Sequence, residues 1–176
     1  MLERYKSIQI FMHWMTLFLV IGLYATIYLS DYVSYTTEKT LTTIHFNLGV
    51  FVWLFMLIRF IMHFKFQTPA ITPPMTKFFR VASKAGHHTL YLLFLIQPII
   101  GVFFRAYDGR SWSFIGMEIN PFVPVDEDFS YVLRDVHDTV GLIILGLIAL
   151  HVTAALFHHY FLKDNTLKRM LPFSDK

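Results

Sequence analysis

The chain has 176 residues, of which 55% are hydrophobic, 18% aromatic and only 15% charged, and it contains no cysteine. A soluble domain averages about 45–50% apolar and about 25% charged residues, and one this apolar would leave large sticky patches in water. Without cysteine there can be no disulfide, no thiolate-ligated metal and no thiol nucleophile. The composition predicts an integral membrane protein, and no nucleic-acid partner is expected.

Four hydrophobic segments are long enough to cross a bilayer, which takes roughly 20 mostly apolar residues. They run from about 8 to 29, 41 to 64, 81 to 105 and 134 to 162, with turn-forming or charged sequence between them. The alternating segments of about ten residues that are typical of barrel strands do not occur. The sequence predicts an all-α bundle of four transmembrane helices, in one domain over residues 1–176.

The connection between the third and fourth segments is the longest. Within it, residues 111–119 (SWSFIGMEI) are expected to form a short amphipathic segment at the outer membrane interface, with Trp112 as its anchor. An ordinary aromatic interfacial loop is the alternative.

Lysine and arginine are distributed unequally between the two ends of the predicted bundle. If the N-terminus is cytoplasmic, eleven of the 15 basic residues, the last of them Lys176, lie on that side, and four lie outside: Lys39, Arg105, Arg110 and Arg134. Nine of the 12 acids lie outside, and three lie inside: Glu3, Asp164 and Asp175. Because basic loops stay in the cytoplasm, and because an even number of spans returns the chain to its starting side, both termini are expected there.

Four of the nine histidines lie inside the hydrophobic segments: His13 in the first, His45 in the second, and His137 and His151 in the fourth. An ionisable side chain within a bilayer is costly and usually serves function. The two in the fourth segment are fourteen residues apart, close to four turns, so they share a face about 21 Å apart along the axis. Alternating helix directions place His45 at the depth of His137, and His13 at the depth of His151.

These depths predict two haem b groups, each held between facing helices by one imidazole on either side. His13 and His151 would bind the inner haem, and His45 and His137 the outer one. Zinc is disfavoured because its three or four ligands must converge on one point. A proton relay, a haem-free transporter or channel, and simple hydrogen-bonded polar residues are the alternatives.

His158 follows His151 by seven residues, about two turns, and so falls on the same helix face beneath the inner pair. A protonatable group there could exchange a proton with a quinone headgroup. A histidine that reaches to the membrane interface is the alternative.

Several motifs together resemble the bacterial cytochrome b561 family over essentially the whole chain. They are H13-W14, I44-H45, H87 ahead of LYLLF, H137-D-T, and the ending HHYFLKDNTLKRML that starts at His158. The resemblance implies a di-haem, four-helix cytochrome of the bacterial inner membrane. By motif position it implies haem ligands at His13, His45, His137 and His151, the same four that the depth argument selects.

The resemblance also implies electron exchange with the quinone pool, with His158 and His87 at family positions for the quinone site. Similar proteins are superoxide oxidases, which take an electron from superoxide at the periplasmic face and pass it through both haems to ubiquinone near the cytoplasmic face. A superoxide:ubiquinone oxidoreductase is therefore the leading expectation. The alternative is a cytochrome b subunit, as in hydrogenases or formate dehydrogenases, with a protein partner as donor.

Two arginines at the outer ends of the third and fourth segments, Arg105 and Arg134, could attract an anionic one-electron donor or neutralise haem propionates. Binding of lipid headgroups is the alternative for both.

Overall fold

The structure is a computed structural model that describes residues 4–172, so Glu3, Asp175 and Lys176 of the charge argument lie outside the described residues. Four long helices make up most of the chain: α1 (Ser7–Ser30), α2 (Tyr35–Lys65), α3 (Lys77–Tyr107) and α4 (Glu127–Tyr160). Each is long and apolar enough to cross a membrane. The predicted all-α bundle of four spans is confirmed.

The helices extend beyond the hydrophobic segments, because a helix continues through polar sequence until a capping residue ends it. α4 begins at Glu127, seven residues before the predicted start at 134. The carboxylate of Asp126 accepts a hydrogen bond from the Phe129 N–H (3.0 Å), and two acids in the first turn complement the helix dipole. α2 likewise begins at Tyr35, six residues before the predicted start at 41.

An apolar layer lies at mid-height in the bundle. Val52 and Ile144 are each 1% exposed, and Val20 is 6% exposed. Ile144 is seven residues from both His137 and His151. Val20 follows His13 by seven residues, and Val52 follows His45 by seven residues. Because seven residues make about two turns, this layer separates two levels of histidine.

Both described ends of the chain lie at one end of the bundle, which we call the terminal end. The backbone N–H of Tyr5 donates to the carbonyl of Arg169 (3.3 Å). The indole N–H of Trp14 donates to the carbonyl of Met170 (2.8 Å). The chain therefore enters and leaves on the same side, as an even number of spans requires.

Residues 164–171 fold across the terminal end, and we call them the C-terminal cap. The chain reverses at Lys163, which has a left-handed backbone (φ 55°). Asn165 and Thr72 of the α2–α3 connection are joined twice, through N–H to C=O (3.2 Å) and N–H to side-chain oxygen (2.9 Å). The cap holds three buried polar side chains: Asp164, Asn165 and Arg169.

The opposite, or hairpin, end carries a small β-hairpin. Residues 111–119, expected as a simple amphipathic segment, form two antiparallel strands, β1 (Trp112–Phe114) and β2 (Met117–Ile119). The two residues between them, Ile115 and Gly116, both have positive φ (48° and 80°). This is the turn conformation that matches the twist of paired strands, and it strongly favours glycine.

The hairpin is docked on the first half of α2. The side-chain amide of Asn47 donates to the Ser113 carbonyl (2.8 Å) and accepts from the Ile115 N–H (2.9 Å). Trp112, expected as a membrane anchor, stacks on Phe46 with ring centroids 5.6 Å apart. Contacts with protein therefore fix the position of this segment.

The orientation of the bundle is testable because the chain has no cysteine of its own. We expect Tyr32→Cys, at an 85% exposed position between α1 and α2, to react with a membrane-impermeant maleimide on intact spheroplasts. Lys6→Cys and Lys168→Cys at the terminal end should react only after lysis. The reverse pattern of labelling would show that the termini are periplasmic.

Candidate cofactor site

The four histidines of the spans meet in two pairs. The ring centroids of His13 and His151 are 6.3 Å apart, with an angle of 54° between the planes. Those of His45 and His137 are 6.5 Å apart, at 73°. The structure thus brings together the residues that share a depth, with the first pair at the terminal end and the second at the hairpin end.

The separation within each pair matches two imidazoles that bind one metal ion from opposite sides. Each would place a nitrogen about 2.0–2.1 Å from the metal, so that the ring centroids would be roughly 6–6.5 Å apart. Both observed separations fall in this range. The separations therefore leave room for one metal ion between the two imidazoles of each pair.

The hydrogen bonds behind the two pairs differ. Nδ1 of His45 is 3.0 Å from the Leu23 carbonyl, which can only accept, so Nδ1 carries the proton and Nε2 is left as a metal donor. At His13, the guanidinium of Arg59 donates to Nδ1 (3.1 Å). Iron binding through Nε2 of His13 therefore requires this hydrogen bond to break or the ring proton to leave.

Two residues of α3 contact His137. The side-chain amide of Gln97 donates to the His137 carbonyl (2.6 Å). Gly101 lies against the ring, where a Cβ would come 2.9 Å from His137 Cε1. Sequence reasoning missed both residues; a glycine and an amide within a hydrophobic span were the available signals.

His87 lies beside the pair at the terminal end. Its ring is perpendicular to that of His151, with centroids 5.3 Å apart, and its Nδ1 donates to the Ser83 carbonyl (2.7 Å). The separation is shorter than two rings on one iron would show. His87 therefore contacts the pair from the side.

His158 lies farther toward the terminal end of the bundle than the first histidine pair. It is 6% exposed, its ring contacts that of Phe79 (5.2 Å), and its Nδ1 is 2.5 Å from the carboxylate of Asp164. Phe79 precedes His87 by eight residues, about 12 Å along α3. The two histidines expected at a quinone site thus lie at different depths, and sequence reasoning missed the buried acid.

Arg134 and Arg105 each contact a phenylalanine ring that in turn contacts a histidine of the second pair. The guanidinium of Arg134 lies 5.5 Å from the centroid of Phe104, and that of Arg105 lies 5.6 Å from the centroid of Phe46. Each of these phenylalanines in turn contacts a histidine of the pair. The arginines are therefore near the hairpin end of the candidate site.

A groove of about 550 Å³ runs along α1 at the terminal end. Its walls are mainly apolar, and Trp14 in its wall contacts the ring of His13 (6.0 Å between centroids). Arg4, Tyr5 and Ser7 supply polar groups to its lining. Most of its wall is made of apolar side chains of α1.

Four membrane spans with facing histidines inside the bundle define a class, the membrane cytochromes that hold haem b between helices. The family model of prokaryotic cytochrome b561 matches residues 4–173, and the chain belongs to that family. The family transfers electrons across membranes and binds haem b. The chain is thus a multi-pass bacterial membrane protein of electron transfer.

Three relatives match nearly end to end. Cytochrome b561 homolog 1 of Escherichia coli (strain K12) is 38% identical over 173 residues, which cover 97% of this chain and 98% of the relative. Probable superoxide oxidase CybB of Yersinia pestis is 33% identical over 170 residues, 97% of each. Cytochrome b561 homolog 2 of E. coli (strain K12) is 30% identical over 177 residues, 96% and 92% respectively.

The contact between Gly101 and His137 predicts an effect of adding a single methyl group. Gly101→Ala places a Cβ against the imidazole, so we expect less haem per chain and shifted absorption bands. Gly146→Ala in α4 is the matched control, since a Cβ there meets nothing within 4 Å. Equal haem content and identical spectra in both variants would contradict the close contact.

Proposed function

We propose that this protein transfers electrons across the membrane through two b haems, from a donor at the hairpin end to ubiquinone at the terminal end. His45 and His137 would hold the outer haem, and His13 and His151 the inner one. The observation that carries the proposal is the presence of two imidazole pairs, each spaced for one iron. We further propose that the terminal end is cytoplasmic and that the membrane is the bacterial inner membrane.

Haem iron, when bound, carries one electron at a time, and the chain determines where it sits. Both proposed sites take one ligand from α4, fourteen residues apart, so their separation is set by a single rigid element. The apolar layer of Val20, Val52 and Ile144 lies between the two levels. Such a layer excludes water and ions, so that electrons cross without an accompanying proton leak.

We propose superoxide as the electron donor. The relative from Y. pestis is named a probable superoxide oxidase and matches over nearly its whole length. Arg105 and Arg134 place positive charge near the second pair, where it would attract a small anion. Two superoxide ions would each lose one electron and become dioxygen, while one quinone gains both electrons and two protons.

We propose that the quinone binds at the terminal end, within reach of the first histidine pair. The groove beside Trp14, which neither His158 nor His87 lines, offers an apolar surface for the isoprenoid chain. His158, at the same end, is the proposed proton donor to the quinone oxygen, and His87 is a further contact near the inner haem. Membrane lipid would cover the remaining outer surface of the helices.

Haem content per chain tests the ligand assignment. His45→Ala and His137→Ala should each remove the outer haem and leave the inner one, while His13→Ala and His151→Ala should do the reverse. His87→Ala is the control and should keep both, because its contact with His151 is too short for a shared iron. Two haems retained in any of the four ligand variants would show that the pairing is wrong.

The donor is tested by rapid mixing of the oxidised protein with superoxide. We expect the α-band of reduced haem to appear after mixing with superoxide and to be absent when superoxide dismutase is included. Adding a ubiquinone analogue should make the band decay as the haem is reoxidised. The double variant Arg105→Gln, Arg134→Gln should be reduced more slowly, with a weaker dependence on salt. If dithionite reduces the haem but superoxide does not, the result would instead favour a protein partner as the electron donor. The protein would then be a cytochrome b subunit of another oxidoreductase.

A further inference from the structure

The His158–Asp164 contact is unusual in this chain because both partners are buried. Their side chains are 7% and 4% exposed, at a distance of 2.5 Å. Within residues 4–172 it is the one acid–base contact with both side chains buried. A buried polar pair at a membrane end is costly unless its hydrogen bonds are complete, so its bonds define what the pair can do.

The turn after α4 aims the carboxylate at the ring. The left-handed backbone of Lys163 reverses the chain, and the Asp164 N–H donates to the His158 carbonyl (3.1 Å). One carboxylate oxygen, Oδ1, accepts from the Thr166 N–H (2.8 Å). The other, Oδ2, is left for His158 Nδ1.

These bonds fix the proton positions. Burial raises the pKa of Asp164, but hydrogen bonds from His158 and Thr166 outweigh it and hold the pKa below its ordinary value. Asp164 is therefore an acceptor at neutral pH, and the proton in the contact lies on Nδ1 of His158. Nε2 is the ring nitrogen that remains for exchange with a ligand.

Arg169 of the C-terminal cap is a charged group that acts on the pair. The buried guanidinium of Arg169 lies over the ring of Tyr5, 5.5 Å from its centroid, and its charge acts on Asp164. Burial raises the pKa of Tyr5, which stays neutral. From α3 the group that faces His158 is the ring of Phe79, so Asp164 is the carboxylate that acts on this imidazole.

We propose that Asp164 is a positioning residue for proton delivery to the quinone: it holds the Nδ1 proton of His158 so that Nε2 donates to the quinone oxygen. The inference rests on the proposed function, in which His158 is the proton donor. In this step His158 would donate its Nε2 proton to the quinone oxygen while Asp164 holds the Nδ1 proton, and Nε2 would then take up a proton from water at the terminal end. Two such rounds, with two electrons and two protons, complete the quinol.

The variant Asp164→Asn separates positioning from folding. The amide oxygen can still accept from the Thr166 N–H, but the NH₂ group then meets Nδ1–H as donor against donor and favours the opposite tautomer. In the haem-loaded protein, we expect haem oxidation by a saturating short-chain ubiquinone to slow by at least about tenfold. The KM for ubiquinone should change by less than about twofold, with unchanged haem content and unchanged oxidation by ferricyanide.

Asn165→Ala is the matched control, because it weakens the cap at Thr72 without touching the pair. It should not slow the ubiquinone reaction selectively. If Asp164→Asn fails to assemble with haem, Asp164→Glu keeps the charge but displaces the oxygen, and should show a smaller loss with the same selectivity. Loss of ferricyanide oxidation in parallel, or the same loss in Asn165→Ala, would overturn the inference in favour of a structural role.

A double-mutant cycle tests whether Asp164 acts through His158. His158→Gln alone should slow ubiquinone reduction, and adding Asp164→Asn should cause no further loss. Additive losses, or a wild-type rate in Asp164→Asn, would overturn the positioning role while leaving the proposed electron transfer intact. A wild-type protein whose reduced haem does not react with ubiquinone would overturn the proposed acceptor and this inference together.

Discussion

The geometry of the candidate site depends on the spacing of two histidines along one helix. α4 carries His137 and His151 fourteen residues apart, so both lie on one face and at two fixed depths. α1 and α2 then supply one imidazole each, because they run in opposite directions and reach those depths from opposite ends. Since each pair is spaced for one metal ion, this constraint would set both where the proposed haems sit and how far an electron travels between them.

The two ends of the bundle are built for different chemistry. The hairpin end places Arg105 and Arg134 behind aromatic rings, close to the second pair. The terminal end buries polar groups in the C-terminal cap, among them Asp164 and Arg169. Burying such groups costs free energy unless they are hydrogen-bonded, and the proposed delivery of protons to a quinone would give a physical reason for their presence. The motif ending in HHYFLKDNTLKRML is the sequence of this cap and its helix.

Much of the architecture follows from the sequence because its physical signals are local. Hydropathy locates the four spans, and helix periodicity with alternating direction is enough to pair His45 with His137. The first turns of α2 and α4 were not predicted because they are polar, and hydropathy detects only apolar segments. The hairpin was not predicted because it depends on docking to Asn47. Asp164 and Arg59 contact His158 and His13 only through the fold of a turn and the packing of α2 against α1, which no sequence spacing specifies.

The central claim is that each histidine pair binds one haem iron with imidazole on both sides. The most direct measurement is electron paramagnetic resonance of the purified oxidised protein, with iron and haem quantified per chain. The account predicts two low-spin ferric haems per chain and no high-spin signal, because both axial positions of each iron are occupied. A single haem per chain, or a high-spin ferric signal from the native protein, would contradict it.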